Sequence, residues 1–188
     1  MSDFNYLGEL DELKQNANQT INILNENKWE GKLGEPLYQQ YGGTMPMPYI
    51  LQYIGNIIAL QRIPTKDLMI FSSDFSYHYK RREYLNNCLV VRVLPGQSVV
   101  SQKIPDTGDI VVIVTLGGGS GTIFNYKNET QHLYIPVNSV YALRESAMYH
   151  TEIHIPGKME DDVEDDGIIN RETQYILIFS HNSIQVET

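Results

Sequence analysis

Residues 88–124, CLVVRVLPGQSVVSQKIPDTGDIVVIVTLGGGSGTIF, carry the pattern that decides the fold. Runs of Val and Ile alternate with the turn segments PGQ, PDTGD and GGGSG. Branched aliphatic side chains pack well on a pleated sheet, whereas Pro and Gly interrupt it. The stretch therefore predicts consecutive short β-strands. The glycine run lies between two apolar runs instead of opening a helix, so we predict a hairpin turn at 117–121 and no phosphate-binding loop.

The same texture extends over residues 67–181, which we assign as a β-barrel core. Further strand-length runs are DLMIFS (67–72), QHLYIPV (131–137), MYHTEIHI (148–155) and QYILIFS (174–180). Many short strands at this spacing favour an all-β sandwich or a closed barrel. An acidic stretch within this region, GKMEDDVEDDGIINRET (157–173), is interpreted as a solvated loop, because it lacks the alternating ligands of a calcium loop.

Before residue 67 the pattern is helical. Residues 1–25 space leucine and isoleucine among polar residues as in an amphipathic N-terminal helical segment. A second helix is predicted from Tyr49 to Leu60, stopped by Pro64. A length of 188 residues suits one domain with a sizeable core. The expected architecture is a single domain, 1–188, that is mainly β with N-terminal helices.

The charge balance disfavours nucleic acid as a partner. The formal net charge is −9, and the densest basic cluster is Lys80, Arg81 and Arg82. Phosphate-backbone binding draws its affinity from clustered cations, so these three residues would carry any nucleic-acid contact. A single cysteine, Cys88, fits a reducing compartment and is expected to be buried and inert. With neither a signal-peptide pattern nor a membrane-spanning run, we predict an intracellular protein with no membrane partner.

The stretch MYHTEIHIP (148–156) places His150, Glu152 and His154 at alternate positions. On a strand these three side chains point to one face, and His with a carboxylate suits iron or zinc. Three ligands on one strand span about 13 Å, however, too far to share one ion without a bulge or a residue from another strand. Two hypotheses stay open: a metal site, or a polar strand face that binds no metal.

From about Ile21 to Phe179, the order of these features resembles the AlkB-type family of 2-oxoglutarate/iron oxygenases. Trp29 with the YGG of residues 41–43 is similar to an early motif of that family. The segments that carry the rest of the resemblance are LNNCLVVRVLPGQSVVSQKIPD (85–106), DIVVIVTLGGGSGTIF (109–124), LYIPVNSVYALRESAMYHTEIHIP (133–156) and RETQYILIFS (171–180). The resemblance implies a double-stranded β-helix, a jelly-roll-like barrel of two sheets.

The resemblance also implies an iron site, which this sequence departs from. The family holds iron with a His-x-Asp pair and a distal His. Counted from the Pro95–Gly96 turn, the pair falls on Gln102 and Ile104. The distal ligand falls on Glu152, or on His154 if two residues are inserted. No His-x-Asp occurs in the chain, so the iron ligands expected from the family are missing.

The positions that would bind 2-oxoglutarate are also replaced. An Asn and a Tyr of the family fall on Val91 and Val93, and its two carboxylate-binding Arg residues fall on Gln174 and Ser180. A buried dicarboxylate requires paired positive charge, which neutral side chains cannot supply. The resemblance therefore implies the family fold without the family's catalysis.

These observations lead to an expected function with two alternatives. The first hypothesis is a non-catalytic AlkB-like barrel that binds a protein partner or a paralogous subunit, or serves as a structural subunit, with no cofactor expected. Tyrosine, which is enriched at interfaces, accounts for 13 residues and concentrates at 38–53 and 73–84. The first alternative is a metal-dependent oxygenase or hydrolase with a rewired site at His150, Glu152 and His154, taking Fe or Zn. The second alternative is a non-catalytic nucleic-acid-binding subunit.

Overall fold

A computed structural model describes residues 4–43, 45–60, 86–100, 110–144, 151–157, 163–164, 167–168 and 170–180. The described helices and strands, in chain order, are β1 (Phe4–Glu9), α1 (Asp11–Glu26), β2 (Leu37–Tyr41), α2 (Tyr49–Leu60), β3 (Asn87–Val93), β4 (Val99–Val100), β5 (Ile110–Leu116), β6 (Ser120–Tyr126), β7 (Glu129–Ile135), β8 (Ser139–Arg144), β9 (Thr151–Ile155), β10 (Val163–Glu164), β11 (Gly167–Ile168) and β12 (Gln174–Ser180).

Two antiparallel sheets make up the barrel. The major sheet has six strands in the order β1-β8-β5-β12-β3-β2, and the minor sheet has four in the order β4-β9-β6-β7. Both helices pack on the side of the major sheet that faces away from the minor sheet. The chain is thus mainly β with helices near its N-terminus, as predicted.

The strands of the major sheet supply two separate cores, because successive side chains of a strand point to opposite faces. Along β12, Tyr175, Leu177 and Phe179 pack with the helices, in what we call the helix layer. Ile176 and Ile178 point instead toward the minor sheet, in what we call the inter-sheet layer. The buried and partly buried residues of the inter-sheet layer are Val91, Val93, Val99, Val111, Ile113, Phe124, Tyr126, Ile135, Tyr141, Leu143, Ile153, Ile155, Ile176 and Ile178.

Helix α1 is fixed to the helix layer through Leu13, Thr20 and Leu24, which its 3.6-residue period brings to one side. Asp11 and Glu12 lie in its first turn, where negative charge is favourable. At its other end the Gln39 amide Nε2 donates to the Leu24 carbonyl oxygen at 2.7 Å. This carbonyl also accepts from the backbone N–H of Asn27 at 3.2 Å, so the buried side chain of the edge strand β2 adds a second hydrogen bond at the end of the helix.

Helix α2 covers residues 49–60, so the bounds predicted from the sequence are confirmed. The carbonyl oxygen of Pro48 accepts hydrogen bonds from the backbone N–H groups of Leu51 and Gln52, at 3.0 and 3.2 Å. Proline just ahead of the helix suits this start, since the first turn needs no N–H from it. Ile50, Leu51 and Ile54 are buried in the helix layer. No helix in the described part of the chain is both long and apolar enough to cross a membrane.

Two predicted boundaries are wrong. Residues 4–9 form strand β1 instead of the start of a helix, and they pair with β8, more than 130 residues later in the sequence. A bulge between Tyr6 and Gly8, with Gly8 at φ 83°, bends the strand before α1 begins. The barrel core also begins before residue 67, because β1 and β2 form the two edges of the major sheet.

The glycine run does not form the predicted hairpin turn. Strand β5 ends at Leu116 in the major sheet and β6 begins at Ser120 in the minor sheet, so the run crosses between the sheets. Gly117 has φ 82°, and a Cβ there would collide with the carbonyl oxygen of Thr173. Within the acidic stretch predicted to be a loop, β10 and β11 form a two-stranded antiparallel pair.

Candidate functional site

The inter-sheet layer is where the resemblance would put a ligand, and the two valines expected there face it. Val93 is buried and Val91 packs against the same layer, both from β3. Their neighbours on the adjacent strand β12 are Gln174 and Ile176. These positions therefore share the face of the major sheet that lies toward the minor sheet. The side chains at these two positions are aliphatic and pack as a core.

Gln174 occupies one position where the resemblance implies an arginine. It is buried, and its amide Nε2 donates to Ser120 Oγ at 3.1 Å, while Oε1 lies 3.2 Å from the same hydroxyl. Ser120 is the first residue of β6, so this pair connects the major and minor sheets. The polar groups of Gln174 are thus engaged within the protein, and the residue brings no charge.

Ser180 occupies the other arginine position, at the opposite end of β12. Its hydroxyl lies 3.1 Å from Asn87 Nδ2, which donates to it across the β3–β12 pair. Asn87 Oδ1 accepts in turn from Gln40 Nε2 at 2.7 Å. A row of three neutral side chains therefore links β12, β3 and β2 at this end of the sheet.

These described residues do not fit 2-oxoglutarate. Among the charged side chains that the structure describes, Arg171 is the buried one, and its guanidinium donates to the carbonyl oxygen of Pro156. Arg171 precedes β12 and so contacts the segment after β9. A buried dicarboxylate without paired positive charge would be strongly disfavoured. Gln102 and Ile104, at the positions of the iron-binding pair, lie outside the described residues.

The His-Glu strip lies on the opposite face of β9 from the inter-sheet layer. Thr151, Ile153 and Ile155 are buried, whereas Glu152 is exposed and His154 half-buried. The structure therefore brings Glu152 and His154 together on the outer face of the minor sheet. His150 lies outside the described residues, as do Lys80, Arg81 and Arg82. The metal and nucleic-acid assignments stay predictions.

His132 shares this outer face, which the sequence did not indicate. In the sheet register His154 pairs with Ile123, and Ile123 pairs with His132 on β7. The two histidines are separated by two strand spacings, about 9.6 Å. Within the described ranges, no group of three or more His, Cys, Asp or Glu side chains could hold a metal ion. Strand register, unknown from sequence, is what brings His132 and His154 into one row.

Buried titratable groups lie in both layers. Burial raises the pKa of the Tyr141 hydroxyl, whose ring packs edge-on against Phe124 with centroids 5.5 Å apart in the inter-sheet layer. Burial likewise raises the pKa of the Cys88 thiol in the helix layer. A raised pKa keeps the thiol protonated and unreactive, as the sequence predicted.

The single tryptophan lies at the end of the helix layer. The Arg92 guanidinium carbon lies 4.9 Å from the centre of the Trp29 ring, a cation–π geometry. The Trp29 indole Nε1 donates to Asn25 Oδ1 at 3.3 Å, and Asn25 Nδ2 donates to the Tyr175 hydroxyl at 3.0 Å. These contacts join the segment after α1 to β3 and β12. They place Trp29 in a structural role on the helix side of the major sheet.

Comparison with known proteins gives a match in structure only. No model of a protein family matches the sequence, and no curated protein matches it. The structure of OsALKBH1 overlays with a TM-score of 0.61 at 12% identity, covering 95% of this chain and 98% of that one. A prolyl-4-hydroxylase from Pseudomonas putida overlays with a TM-score of 0.56 at 8% identity, covering 96% and 93%. An oxidoreductase of the 2OG-Fe(II) oxygenase family from Burkholderia pseudomallei gives 0.46 at 16% identity, covering 87% and 79%.

At these identities the likeness concerns the backbone arrangement and not the chemistry. The two structures with TM-scores above 0.5 cover nearly all of this chain, and both are of the oxygenase type implied by the resemblance. The fold class predicted from the sequence is confirmed: the chain has the double-stranded β-helix fold found in AlkB-type and other 2-oxoglutarate/iron oxygenases.

Proposed function

We propose that this chain is a non-catalytic, AlkB-like β-barrel that acts as a protein-binding or structural subunit of a larger complex. The observation that supports it most is the neutrality of the four described positions that should contact 2-oxoglutarate. Val91 and Val93 are aliphatic, and Gln174 and Ser180 are hydrogen-bonded inside the protein. The lack of charge at these positions favours a binding or structural role over catalysis with 2-oxoglutarate.

The test is direct titration of the full chain with 2-oxoglutarate in the presence of Mn²⁺, a redox-stable substitute for Fe²⁺, by isothermal calorimetry. An active AlkB-type enzyme serves as the positive control. We expect no heat of binding at millimolar ligand. Stoichiometric binding of 2-oxoglutarate would overturn the proposal, which depends on the neutral side chains of Val91, Val93, Gln174 and Ser180.

The alternative is a metal-dependent oxygenase or hydrolase with a rewired site at His150, Glu152 and His154. It rests on the names of the structural neighbours, which are oxygenases, and on the shared outer face of Glu152 and His154. Metal analysis of tag-free protein by inductively coupled plasma mass spectrometry separates the two functions. About one Fe or Zn per chain, lost in His154→Ala, favours the enzyme; a content that is low and equal in both proteins favours the binding subunit.

A non-catalytic nucleic-acid-binding subunit is the remaining candidate, carried by Lys80, Arg81 and Arg82. It requires affinity that falls steeply as salt is raised. The net charge of −9 opposes it, so we rank it below protein binding.

A further inference from the structure

The outward side of α2 differs in chemistry from that of α1. On α1 the exposed positions include Asp11, Lys14 and Glu26, as expected for a solvated face. On α2 the exposed positions among residues 49–55 are Tyr49, Gln52 and Tyr53, with Tyr49 exposed at 79% and Tyr53 at 40%. Met45, four residues before Tyr49, is 55% exposed. We call Met45, Tyr49 and Tyr53 the α2 surface.

This surface belongs to a long segment without charge. From Pro36 to Gln61 the sequence has no Asp, Glu, Lys, Arg or His, although charged residues make up 20% of the chain. Gln52, an exposed polar residue within positions 49–55, folds back so that its Nε2 donates to the Met47 carbonyl oxygen at 2.8 Å. Interface cores are depleted of charge and enriched in Tyr and Met. The composition of this segment and the exposure of Met45, Tyr49 and Tyr53 are those expected of a surface that another molecule covers.

Strand addition does not explain the pattern, because the neighbouring edge strand is largely protected. The backbone of Tyr38 on β2 exchanges two hydrogen bonds with Glu30, each 2.9 Å long. Just after β2, Gly42 and Met45 exchange a second pair of backbone hydrogen bonds. Covering an edge in this way prevents pairing with another chain. A partner that docks at this edge would therefore use side-chain contacts and not backbone pairing.

We infer that the α2 surface pairs with the α2 surface of a second copy of this chain, in a two-fold symmetric dimer. The inference rests on the proposed protein-binding function and names its partner. In such an interface each patch meets itself, so any charge near the axis would face a like charge. On a chain of net charge −9, a segment without charge is where two copies can approach closely. A partner attracted by charge would dock on the acidic surfaces instead.

The experiment is sedimentation equilibrium of the full chain from about 1 to 100 μM, with Tyr49→Glu, Tyr53→Glu and Leu133→Glu. Leu133 is the matched control, since it is an apolar residue of β7 with 38% exposure, similar to Tyr53. We expect wild type and Leu133→Glu to approach twice the chain mass of 21.5 kDa. Each tyrosine variant should weaken dimerisation by about tenfold or more, because a buried unpaired charge opposes association.

A wild-type chain that stays monomeric overturns the inference, whether it then binds another protein or neutral lipid vesicles. A dimer that survives both tyrosine variants, or that dissociates only in Leu133→Glu, also overturns it. Circular dichroism confirms that each variant is folded, and Tyr53→Arg repeats the test with the opposite charge. The 2-oxoglutarate titration tests the proposed function separately. If the chain is monomeric and does not bind 2-oxoglutarate, only the dimer inference fails. If the chain is dimeric and binds 2-oxoglutarate, only the proposed non-catalytic function fails.

Discussion

The two layers on either side of the major sheet share its strands, but they differ in where their hydrogen-bonded polar side chains lie. In the helix layer, Gln39 is buried among helix and strand residues and connects α1 to β2. In the inter-sheet layer, the polar pairs Gln174–Ser120 and Ser180–Asn87 lie at the two ends of β12, with Ile176 and Ile178 between them. The helix layer thus uses polar contacts to hold an added element. The inter-sheet layer, where the fold could hold a ligand, is packed as a hydrocarbon core.

The largest test of this comparison is truncation of one large side chain in each layer. Phe124→Ala, in the inter-sheet layer, should lower the free energy of unfolding by about 3–5 kcal/mol, and Leu51→Ala, in the helix layer, by about 2–5 kcal/mol. Both side chains are fully buried. Urea denaturation measures both, with Phe124→Leu as a milder control. A loss below about 1 kcal/mol for Phe124→Ala would indicate a loosely packed interior, suited to a ligand.

Replacement of Gln39 and of Gln174, which are both buried, compares the stability that polar contacts contribute in the two layers. Gln39→Leu removes the acceptor of the Tyr41 hydroxyl, which donates to Gln39 Oε1 at 2.9 Å, whereas the Leu24 carbonyl keeps its hydrogen bond from the Asn27 N–H. The expected loss is about 1–3 kcal/mol for each group left unsatisfied. Gln174→Leu leaves only Ser120 Oγ without its partner and should lower the free energy of unfolding by less, because Gln39→Leu also removes the second hydrogen bond to the Leu24 carbonyl.

The control for the second glutamine is the double variant Gln174→Leu with Ser120→Ala. Removal of both partners of a buried hydrogen bond is often nearly neutral, so the double variant should recover most of the stability lost in Gln174→Leu. Urea midpoints of the three proteins decide this. If Gln174→Leu costs more than Gln39→Leu, the inter-sheet polar pair has a role beyond local hydrogen bonding.

Alkaline pH should destabilise both layers through their buried acids. Burial raises the folded-state pKa of Cys88 and of Tyr141 above their ordinary values of 9.0 and 10.0. The stability from keeping each group neutral is therefore complete below those values and is lost as pH rises beyond them. Each group should reduce the free energy of unfolding by about 1.4 kcal/mol per pH unit in that range.

The two contributions can be separated by variants. Cys88→Ala should reduce the loss that begins near pH 9, and Tyr141→Phe the loss that begins near pH 10. Urea denaturation between pH 7 and 11 provides the profiles. An unchanged profile in both variants would mean that neither group stays neutral in the folded protein.

The smallest effects are expected on the outer face of β9. Glu152→Ala and His154→Ala should change the free energy of unfolding by about 0.5 kcal/mol or less, as surface substitutions usually do. Ile153→Ala, between them on the buried face, should cost about 2–5 kcal/mol. Thermal unfolding of the three variants measures the difference. Equal losses would contradict the assignment of faces.

Local pattern was sufficient for much of the fold. The valine-rich run at 88–93 and the Val/Ile run at 110–116 predicted β3 and β5, and the apolar run after Pro48 predicted α2. Strand β1 was missed because Leu7, Leu10 and Leu13 also match a helical period. Its strand conformation is stabilised by pairing with β8, a partner that no local pattern reveals.

Residue type and short-range periodicity were enough to predict the fold class and the burial of Cys88, and they show neutral side chains at Gln174 and Ser180. The tertiary structure alone decided which layer each residue enters. It turned Glu152 and His154 away from the interior and placed His132 in their row. The physical reason is that strand pairing fixes register between residues far apart in the chain, and a shift of one residue exchanges the two faces of a strand.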